Sequence, residues 1–303
     1  IEGGIGGFKY DPTLKRIIYI KEVKIDKTVH DIYPDLPKAN ARIINNLMYR
    51  HWNQWEDESY SHIFSANYPD FSNPIDIMKG EPFDAPMFPS GDITEIQYSP
   101  DGLSIVYACK KSVGKEYAVS TNSDIYIYSI STGKTINISE SYKGYDLHPV
   151  FSPDGNKIVW GSMQTPGFES DKLNIFIYDL KKNTTENYSK TFDESASDFI
   201  FSPDGKKLYF ISGINATYQV FVLDIIKNKI TQLTSGIHDY KSFSLANGFM
   251  IGVRESMIEP ADIYSIDANT GVQTRLTNIN QPLLNNIASI QVEQRWITTT
   301  DNK

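Results

Sequence analysis

Short runs of apolar residues, separated by polar turns, recur along most of this chain. The runs at 103–107, 157–160 and 207–211 are rich in β-branched and aromatic residues. Runs of this length between turn signals predict β-strands. A second apolar run follows each of them, and a polar turn then leads into a short last strand. The second runs are 124–128, 174–178, 219–223 and 262–266, and the last strands close on Ser139, Ser189, Thr234 and Thr277.

The turn before the first apolar run is itself repeated. The sequence Ser-Pro-Asp-Gly stands at 99–102, 152–155 and 202–205, and weaker copies occupy 10–15 and 243–248. In such a turn the serine accepts a local hydrogen bond, proline presets φ at about −65°, and glycine closes the turn. Each unit therefore begins with a hairpin. Four strands in about 40 to 50 residues are typical of one blade of a β-propeller.

The pattern predicts an all-β protein with about five four-stranded blades. Because one such sheet cannot bury both of its faces alone, neighbouring blades must stack. We expect the blades at 8–78, 88–140, 146–190, 197–234 and 240–277, all within a propeller region of residues 1–283. Residues 284–303 are expected to begin a further strand pair that links to another domain, and further blades are expected upstream of residue 1.

An insert interrupts the first blade. Over residues 36–57, apolar side chains recur at steps of three and four residues, which predicts a short amphipathic helix. They are Ile43, Ile44, Leu47, Met48, His51, Trp52 and Trp55. Such a helix would have to pack on a blade or on another domain.

The composition limits the classes of function that the chain can have. The chain of 303 residues is 40% hydrophobic and has a net charge of −8, so it can form a large core but would repel nucleic acid. It contains no apolar stretch long enough for a membrane span. Cys109 is the only cysteine, which excludes an internal disulfide and a cysteine-based zinc site.

We find no catalytic residues in the sequence. A hydrolase serine requires the elbow Gly-x-Ser-x-Gly, and the glycine pairs spaced four apart enclose Ile5 and Met250 instead. The five histidines lack metal-ligand spacing. Gly3–Gly7 lacks the third glycine of a dinucleotide loop. Glu56 and Asp57 could act as an acid/base pair, although adjacent carboxylates are usually solvated. No metal or other cofactor is predicted.

Several non-repeated segments resemble a known family. They are 31–42, 47–55, 116–118, 120–126, 167–172 and 292–303. These segments are similar to the propeller portion of serine peptidases of the prolyl oligopeptidase family, of the bacterial dipeptidyl aminopeptidase, acylaminoacyl peptidase and dipeptidyl peptidase V type. The turn repeat itself resembles TolB-like propellers as well.

The resemblance implies a parent protein of seven or eight blades, whose propeller covers an α/β-hydrolase domain that lies beyond this chain. In that family the propeller limits access to short peptides and helps to bind their N-terminus. The implied partners are this hydrolase domain and short peptides. The resemblance leaves open whether the protein forms a homodimer. A periplasmic or secreted bacterial location is also expected from the resemblance, and the sequence alone does not fix the compartment.

Two groups of residues are candidates for substrate binding. Glu169, beside Asp171, could bind the α-ammonium group of a peptide through a charge-assisted hydrogen bond, or it could simply be an exposed acid in a loop. Phe168 could line a side-chain pocket or pack in the core. In the insert, Arg50, Trp52 and Trp55 could face the substrate passage or the hydrolase domain. Alternatively, the tryptophans anchor the insert to its blade.

Two functions remain open at this stage. One is the accessory propeller of a serine dipeptidyl peptidase, which would be inactive alone because its nucleophile lies elsewhere. The alternative is a non-enzymatic, TolB-like scaffold that binds a protein partner in its central channel. A third class, a propeller glycosidase, would need paired carboxylates facing the channel, and the sequence places none there.

Overall fold

The computed structural model describes residues 4–56, 58–246, 248–288 and 290–301. Five antiparallel sheets of four strands carry the fold. They are β1–β2–β5–β6, β10–β9–β8–β7, β11–β12–β13–β14, β15–β16–β17–β18 and β19–β20–β21–β22, and β3 pairs with β4 in a small hairpin. Four of these sheets begin within one residue of a predicted blade start, whereas the second begins at Ile96, eight residues after the predicted start at 88. The all-β prediction is confirmed.

The first two sheets and the insert comprise ten strands. Their bounds are β1 Phe8–Tyr10, β2 Arg16–Lys24, β3 Arg50–His51, β4 Gln54–Trp55, β5 Ser59–Asn67, β6 Ile75–Asp76, β7 Ile96–Tyr98, β8 Ser104–Cys109, β9 Asp124–Ser129 and β10 Lys134–Asn137. Short helices, α1 at Val29–Ile32 and α2 at Gly114–Val119, and a 3₁₀ turn at Ile93–Glu95 lie in their connections.

The other three sheets comprise twelve strands. Their bounds are β11 Asp146–Phe151, β12 Lys157–Ser162, β13 Asn174–Asp179, β14 Thr184–Asn187, β15 Ala196–Phe201, β16 Lys207–Ile214, β17 Thr217–Asp224, β18 Lys229–Gln232, β19 Asp239–Ala246, β20 Phe249–Glu255, β21 Asp262–Asp267 and β22 Gln273–Arg275. Helix α3 follows at Gln281–Leu284. The chain divides into two compact units, one up to Lys207 and one from Leu208 onward.

The Ser-Pro-Asp-Gly turns form the first hairpin of sheets two to four, as predicted. In the first of them Ser99 Oγ accepts the amide of Ser104 at 2.9 Å and donates to Asp101 Oδ1 at 2.6 Å. Gly102 has φ +70°, a conformation in which a side chain would be strained. The turns beginning at Ser152 and Ser202 repeat these bonds. The upstream copy uses Asp11 Oδ1 as the acceptor instead. Of the downstream copy, Asn247 lies outside the described residues.

A second repeat joins the third strand of a sheet to the end of the fourth. The hydroxyls of Ser139, Ser189, Thr234 and Thr277 accept the amides of Ile125, Ile175, Val220 and Ile263 at 2.8–2.9 Å. A polar residue precedes each of these amides and stands 15 positions before the hydroxyl. In three sheets the hydroxyl also donates a hydrogen bond to the side-chain oxygen of this polar residue, which is Asn174, Gln219 or Asp262. In sheets two to four this hydroxyl latch provides an acceptor for a buried amide of the third strand.

Buried aromatic and branched side chains fill the space between adjacent sheets of the first unit. Ile18, Ile20 and Ile63 of sheet one pack with a cluster that includes Tyr107 and Tyr126 of sheet two. The other face of sheet two packs on Trp160 and its neighbours in sheet three. Within the second unit, Tyr209 and Ile211 pack with Tyr240 and Met250. Burial on both faces explains why these strands are continuously apolar.

The prediction of a helix over residues 36–57 is wrong for 36–56, and Asp57 lies outside the described residues. Residues 36–56 contain no helix. Their regular secondary structure is the β3–β4 hairpin, with Trp52 at φ +46° in the turn. The spacing misled because a helix needs its apolar stripe buried, and here Ile43, Ile44 and Leu47 are 44–48% exposed. Proline and repeated asparagines also disfavour a helix here.

The strand pair expected within residues 284–303 is not formed in 284–288 or 290–301. Helix α3 ends at Leu284, and the described residues after it carry no strand. Trp296 and Ile297 are more than 80% exposed. An isolated apolar segment does not form a strand because its backbone groups need a paired neighbour.

We expect Ser189→Ala to destabilise the protein by about 1–3 kcal/mol, because the buried amide of Ile175 loses its acceptor. Urea unfolding followed by tryptophan fluorescence measures the loss. Ser131→Ala, in the exposed turn of sheet two, is the matched control and should change stability by less than about 0.5 kcal/mol. Equal effects of the two substitutions would contradict the role of the latch.

Candidate functional site

Three long loops converge at one end of the first three sheets. Each connects the second strand of its sheet to the third, at residues 25–58, 110–123 and 163–173. In the fourth sheet the equivalent connection is only Asn215 and Ala216. Since long loops on a rigid scaffold commonly carry function, this end, here called the loop end, is the candidate site.

Specific contacts join the three loops. Gly114, at φ +63° in the second loop, lies against the Asn46 side chain of the first; an added Cβ would sit 2.7 Å from Asn46 Nδ2. Gly167 of the third loop donates its amide to Thr121 Oγ1 of the second at 2.9 Å. The loop end is therefore one continuous surface.

Asp171 organises the third loop. Its carboxylate accepts the amides of Gln164, Thr165 and Lys172 at 2.7–2.9 Å. Burial opposes its ionisation, but these hydrogen bonds outweigh burial and lower the pKa of Asp171. Its oxygens are thus engaged by the loop's own backbone.

Phe168 and Glu169 stand at the outer edge of the same loop, where both side chains are exposed. The charge of Glu169 acts on Lys110. Burial lowers the pKa of Lys110, and the charges of Glu169, Glu56 and Glu116 partly offset that effect. Lys110 Nζ donates to the Ser120 carbonyl at 2.6 Å and lies 4.4 Å from the Tyr117 ring centroid.

The hairpin of the insert carries the other three predicted residues. Arg50 and Trp55 are a cross-strand pair, and Trp52 in the turn is 81% exposed. Trp55 packs against Tyr49, with ring centroids 6.3 Å apart, and Arg42 lies 4.5 Å over its ring. The anchoring role considered for the tryptophans therefore suits Trp55 better than Trp52.

Beneath the insert lie two cavities of about 440 and 340 Å³. Glu56 and Asp84 line both of them, Tyr60 and Tyr117 line the larger, and Trp55 lines the smaller. Among the six predicted residues, only Trp55 contributes to these walls. Glu169 connects to this area electrostatically, through Lys110.

The two cavity carboxylates are hard to ionise. Burial, and then the charge of Asp84, raise the pKa of Glu56 to about 7, against an opposing effect of Lys110. Burial raises the pKa of Asp84 to about 6, although the Ser61 amide donates to it at 2.7 Å. Glu56 was a candidate from the sequence, whereas Asp84 was not, because only the pairing of distant segments brings the two together.

Within the described ranges no three His, Cys, Asp or Glu side chains come together as a metal site would need. Cys109 is buried, and burial raises the pKa of its thiol. No helix in the part of the chain that the structure describes is long and apolar enough to cross a membrane.

Curated relatives match along the full chain. The chain is 45% identical to dipeptidyl-peptidase 5 of Porphyromonas endodontalis over 307 residues and 42% identical to that of Porphyromonas gingivalis over 301. These matches cover 100% and 99% of the chain and 44% of each relative. The chain thus spans less than half the length of these two proteins.

Solved structures support the fold. Pyrococcus horikoshii acylaminoacyl peptidase matches 95% of the chain and 40% of its own, with a TM-score of 0.67 at 14% identity. The β-propeller domain of the Trilobed protease from Pyrococcus furiosus matches 92% of the chain and 69% of its own, with a TM-score of 0.56 at 14% identity. Together with the five sheets, these matches confirm the predicted β-propeller fold.

One family model matches most of the repeat region. It is described as the TolB beta propeller domain and covers residues 97–281, from the first strand of sheet two to the start of α3. This range contains four of the five sheets and all three Ser-Pro-Asp-Gly turns. The chain belongs to the TolB beta propeller domain family.

Proposed function

We propose that this chain is the propeller domain of a longer serine peptidase that removes dipeptides from peptide N-termini. The observation that carries the proposal is the 42–45% identity to two dipeptidyl-peptidase 5 proteins across 99–100% of the chain. The chain lacks Gly-x-Ser-x-Gly, so the nucleophile would stand in an α/β-hydrolase domain outside it.

The loop end would contribute to substrate binding. Its exposed carboxylate Glu169 would accept the α-ammonium group of the peptide, and Phe168 would contact an apolar side chain beside it. The insert hairpin with Arg50, Trp52 and Trp55 would border the passage to the catalytic domain and limit entry to short peptides. An ammonium–carboxylate bond of this kind fixes the register of the peptide relative to the nucleophile.

The gene sequence beyond Lys303 and an activity assay test the peptidase proposal. The gene read beyond Lys303 should encode Gly-x-Ser-x-Gly within the following few hundred residues. The protein extended by that domain should release chromophore from dipeptidyl substrates, whereas residues 1–303 alone should release none. A stop codon directly after Lys303, or cleavage by the isolated chain, would contradict the proposal.

In the extended enzyme we expect Glu169→Gln to raise KM about tenfold or more, with a smaller change in kcat, because a charge-assisted bond to the substrate is lost. Steady-state kinetics on dipeptidyl substrates measures this change. Glu116→Gln is the matched control, because Glu116 is also exposed and its charge also acts on Lys110, but Glu116 lies in the second loop. If both variants behave like the parent enzyme, Glu169 does not bind the ammonium group.

The alternative is a scaffold that binds a protein partner. It is favoured by a third cavity of about 540 Å³ at the opposite, turn end of the first unit, lined by Pro12, Pro100, Pro153, Phe151 and Phe199. Proline and aromatic walls suit an extended peptide segment. The stop codon that would contradict the peptidase proposal would support this one.

A further inference from the structure

His62 lies in the middle of β5 with its side chain fully buried, and both of its ring nitrogens face oxygen atoms. Nδ1 lies 2.9 and 3.1 Å from the two carboxylate oxygens of Asp76. Nε2 lies 2.9 Å from the backbone carbonyl of Glu81. The imidazole therefore bridges the strand β6 and the segment that follows it.

The segment bridged by His62 is a bulge in the pairing along β5. The Ile77 amide donates to the Ile63 carbonyl at 3.1 Å, and pairing resumes when the Ala85 amide donates to the Ser61 carbonyl at 2.8 Å. Residues 78–84, here called the 78–84 bulge, leave the sheet between these two points. A turn closed by the Glu81 amide and the Met78 carbonyl, at 2.9 Å, forms its tip, with Gly80 at φ +82°.

The two partners of His62 are both acceptors. A backbone carbonyl can only accept, and Asp76 Oδ1 already receives the Met78 amide at 2.9 Å, as an ionised carboxylate would. A neutral imidazole carries one N–H and could satisfy only one of these partners, whereas the imidazolium donates to both. The geometry thus calls for a doubly protonated ring in a fully buried position.

The charges around His62 favour that form on balance. Burial lowers the pKa of His62, but the hydrogen bond and charge of Asp76, the Glu81 carbonyl and the charge of Asp84 outweigh burial and raise it. Lys21 is the cross-strand neighbour of His62 on β2, and a positive charge beside an imidazole disfavours its protonation. The Glu81 side chain is itself paired with Lys111 of the second loop at 2.6 Å.

We propose that His62 is a buried imidazolium that clamps the 78–84 bulge and releases it when the ring loses a proton. The clamp acts on the loop end, because the bulge carries Phe83 and Asp84, which line the larger cavity. At the last residue of the bulge, the Asp84 carbonyl accepts a bond from Cys109 Sγ at 3.4 Å. Deprotonation leaves one acceptor of the pair without its donor, so the Glu81 carbonyl separates and the bulge loosens.

The stability that the clamp contributes depends on pH, because folding and the protonation of His62 are linked. Since the pKa of His62 is raised in the folded protein, the clamp contributes its full stability below about pH 6.5, the ordinary histidine value. That stability is lost as the pH rises through the folded value. Alkaline rather than acidic conditions therefore open the bulge.

Nitrogen NMR on protein labelled at histidine tests the protonation state directly. At pH 6 we expect both ring nitrogens of His62 to carry a proton, with hydrogen-bonded proton signals. Hydrogen exchange, corrected for the intrinsic effect of pH, should show that the amides of Ser61, Glu81 and Ala85 lose protection together as His62 deprotonates. One protonated and one bare nitrogen at pH 6 would overturn the proposal.

Asp76→Asn should move the titration midpoint of His62 and the loss of amide protection to lower pH by at least about one unit. Asp70→Asn, which removes an exposed carboxylate from the preceding loop, is the matched control and should move neither. Unchanged midpoints in Asp76→Asn, or loss of protection at a pH unrelated to the His62 midpoint, would also overturn the proposal.

Discussion

Trp160→Ala is expected to lower the free energy of unfolding by about 3–5 kcal/mol, which is a large fraction of the total for an ordinary domain. Trp160 is the largest side chain with no exposure to solvent. It packs between sheets two and three, against Val106, Ile125 and Phe176, with its ring 5.9 Å from the Phe176 ring. Removing it leaves a cavity that the flanking rigid sheets cannot close.

Urea unfolding followed by circular dichroism measures this loss, since the signal then does not depend on the deleted tryptophan. Trp52→Ala is the matched control, because the same atoms are removed from a side chain that is 81% exposed. It should change stability by less than about 0.5 kcal/mol. Similar losses in the two variants would contradict the inter-sheet packing described here.

The second large effect concerns Asp146, at the start of β11. Its side chain is fully buried, and burial raises its pKa to about 7; Ser139, Ser162 and Trp160 offset burial only in part. In the unfolded chain the pKa is close to 3.9. The folded state therefore holds the proton more tightly, and stability falls as the pH rises from about 4 to about 7, then levels off.

A difference of three pKa units corresponds to on the order of 4 kcal/mol. Asp146→Asn removes this dependence while preserving the size of the side chain. We expect the variant to match the parent near pH 4 and to exceed it in stability above pH 7. Urea titrations of both proteins from pH 4 to 8 measure the difference, in which other groups, such as Glu95 and His62, cancel. A constant difference across this range would show that Asp146 titrates normally.

The sheets could be predicted from sequence because their signals are local. Ser-Pro-Asp-Gly specifies a hairpin within five residues, and the hydroxyl latch acts at a fixed spacing within one sheet. The insert could not be predicted in this way. Its apolar spacing is helical, but a helix there would need a surface to cover its stripe, and spacing within the insert does not report that surface.

The candidate site was predictable only in part. Phe168, Glu169 and Asp171 were identified in the correct kind of position, an inter-strand loop, and Trp55 reaches a cavity wall. Whether these residues bind a peptide remains a prediction. Asp84 and His62 gave no signal in the sequence, because their properties arise from the 78–84 bulge. That bulge exists only once β6 and Ala85 have both paired with β5.

The nine-residue ladder between β2 and β5 makes the pairing of the first blade independent of the sequence of its insert. All nine pairs, from Arg16–Asn67 to Lys24–Ser59, lie within the two strands, and none of them includes a residue of 25–58. Lengthening an excursion that is already long costs little additional entropy. Selection, or a protein engineer, could therefore replace this insert to alter what the domain recognises while the supporting sheet stays intact.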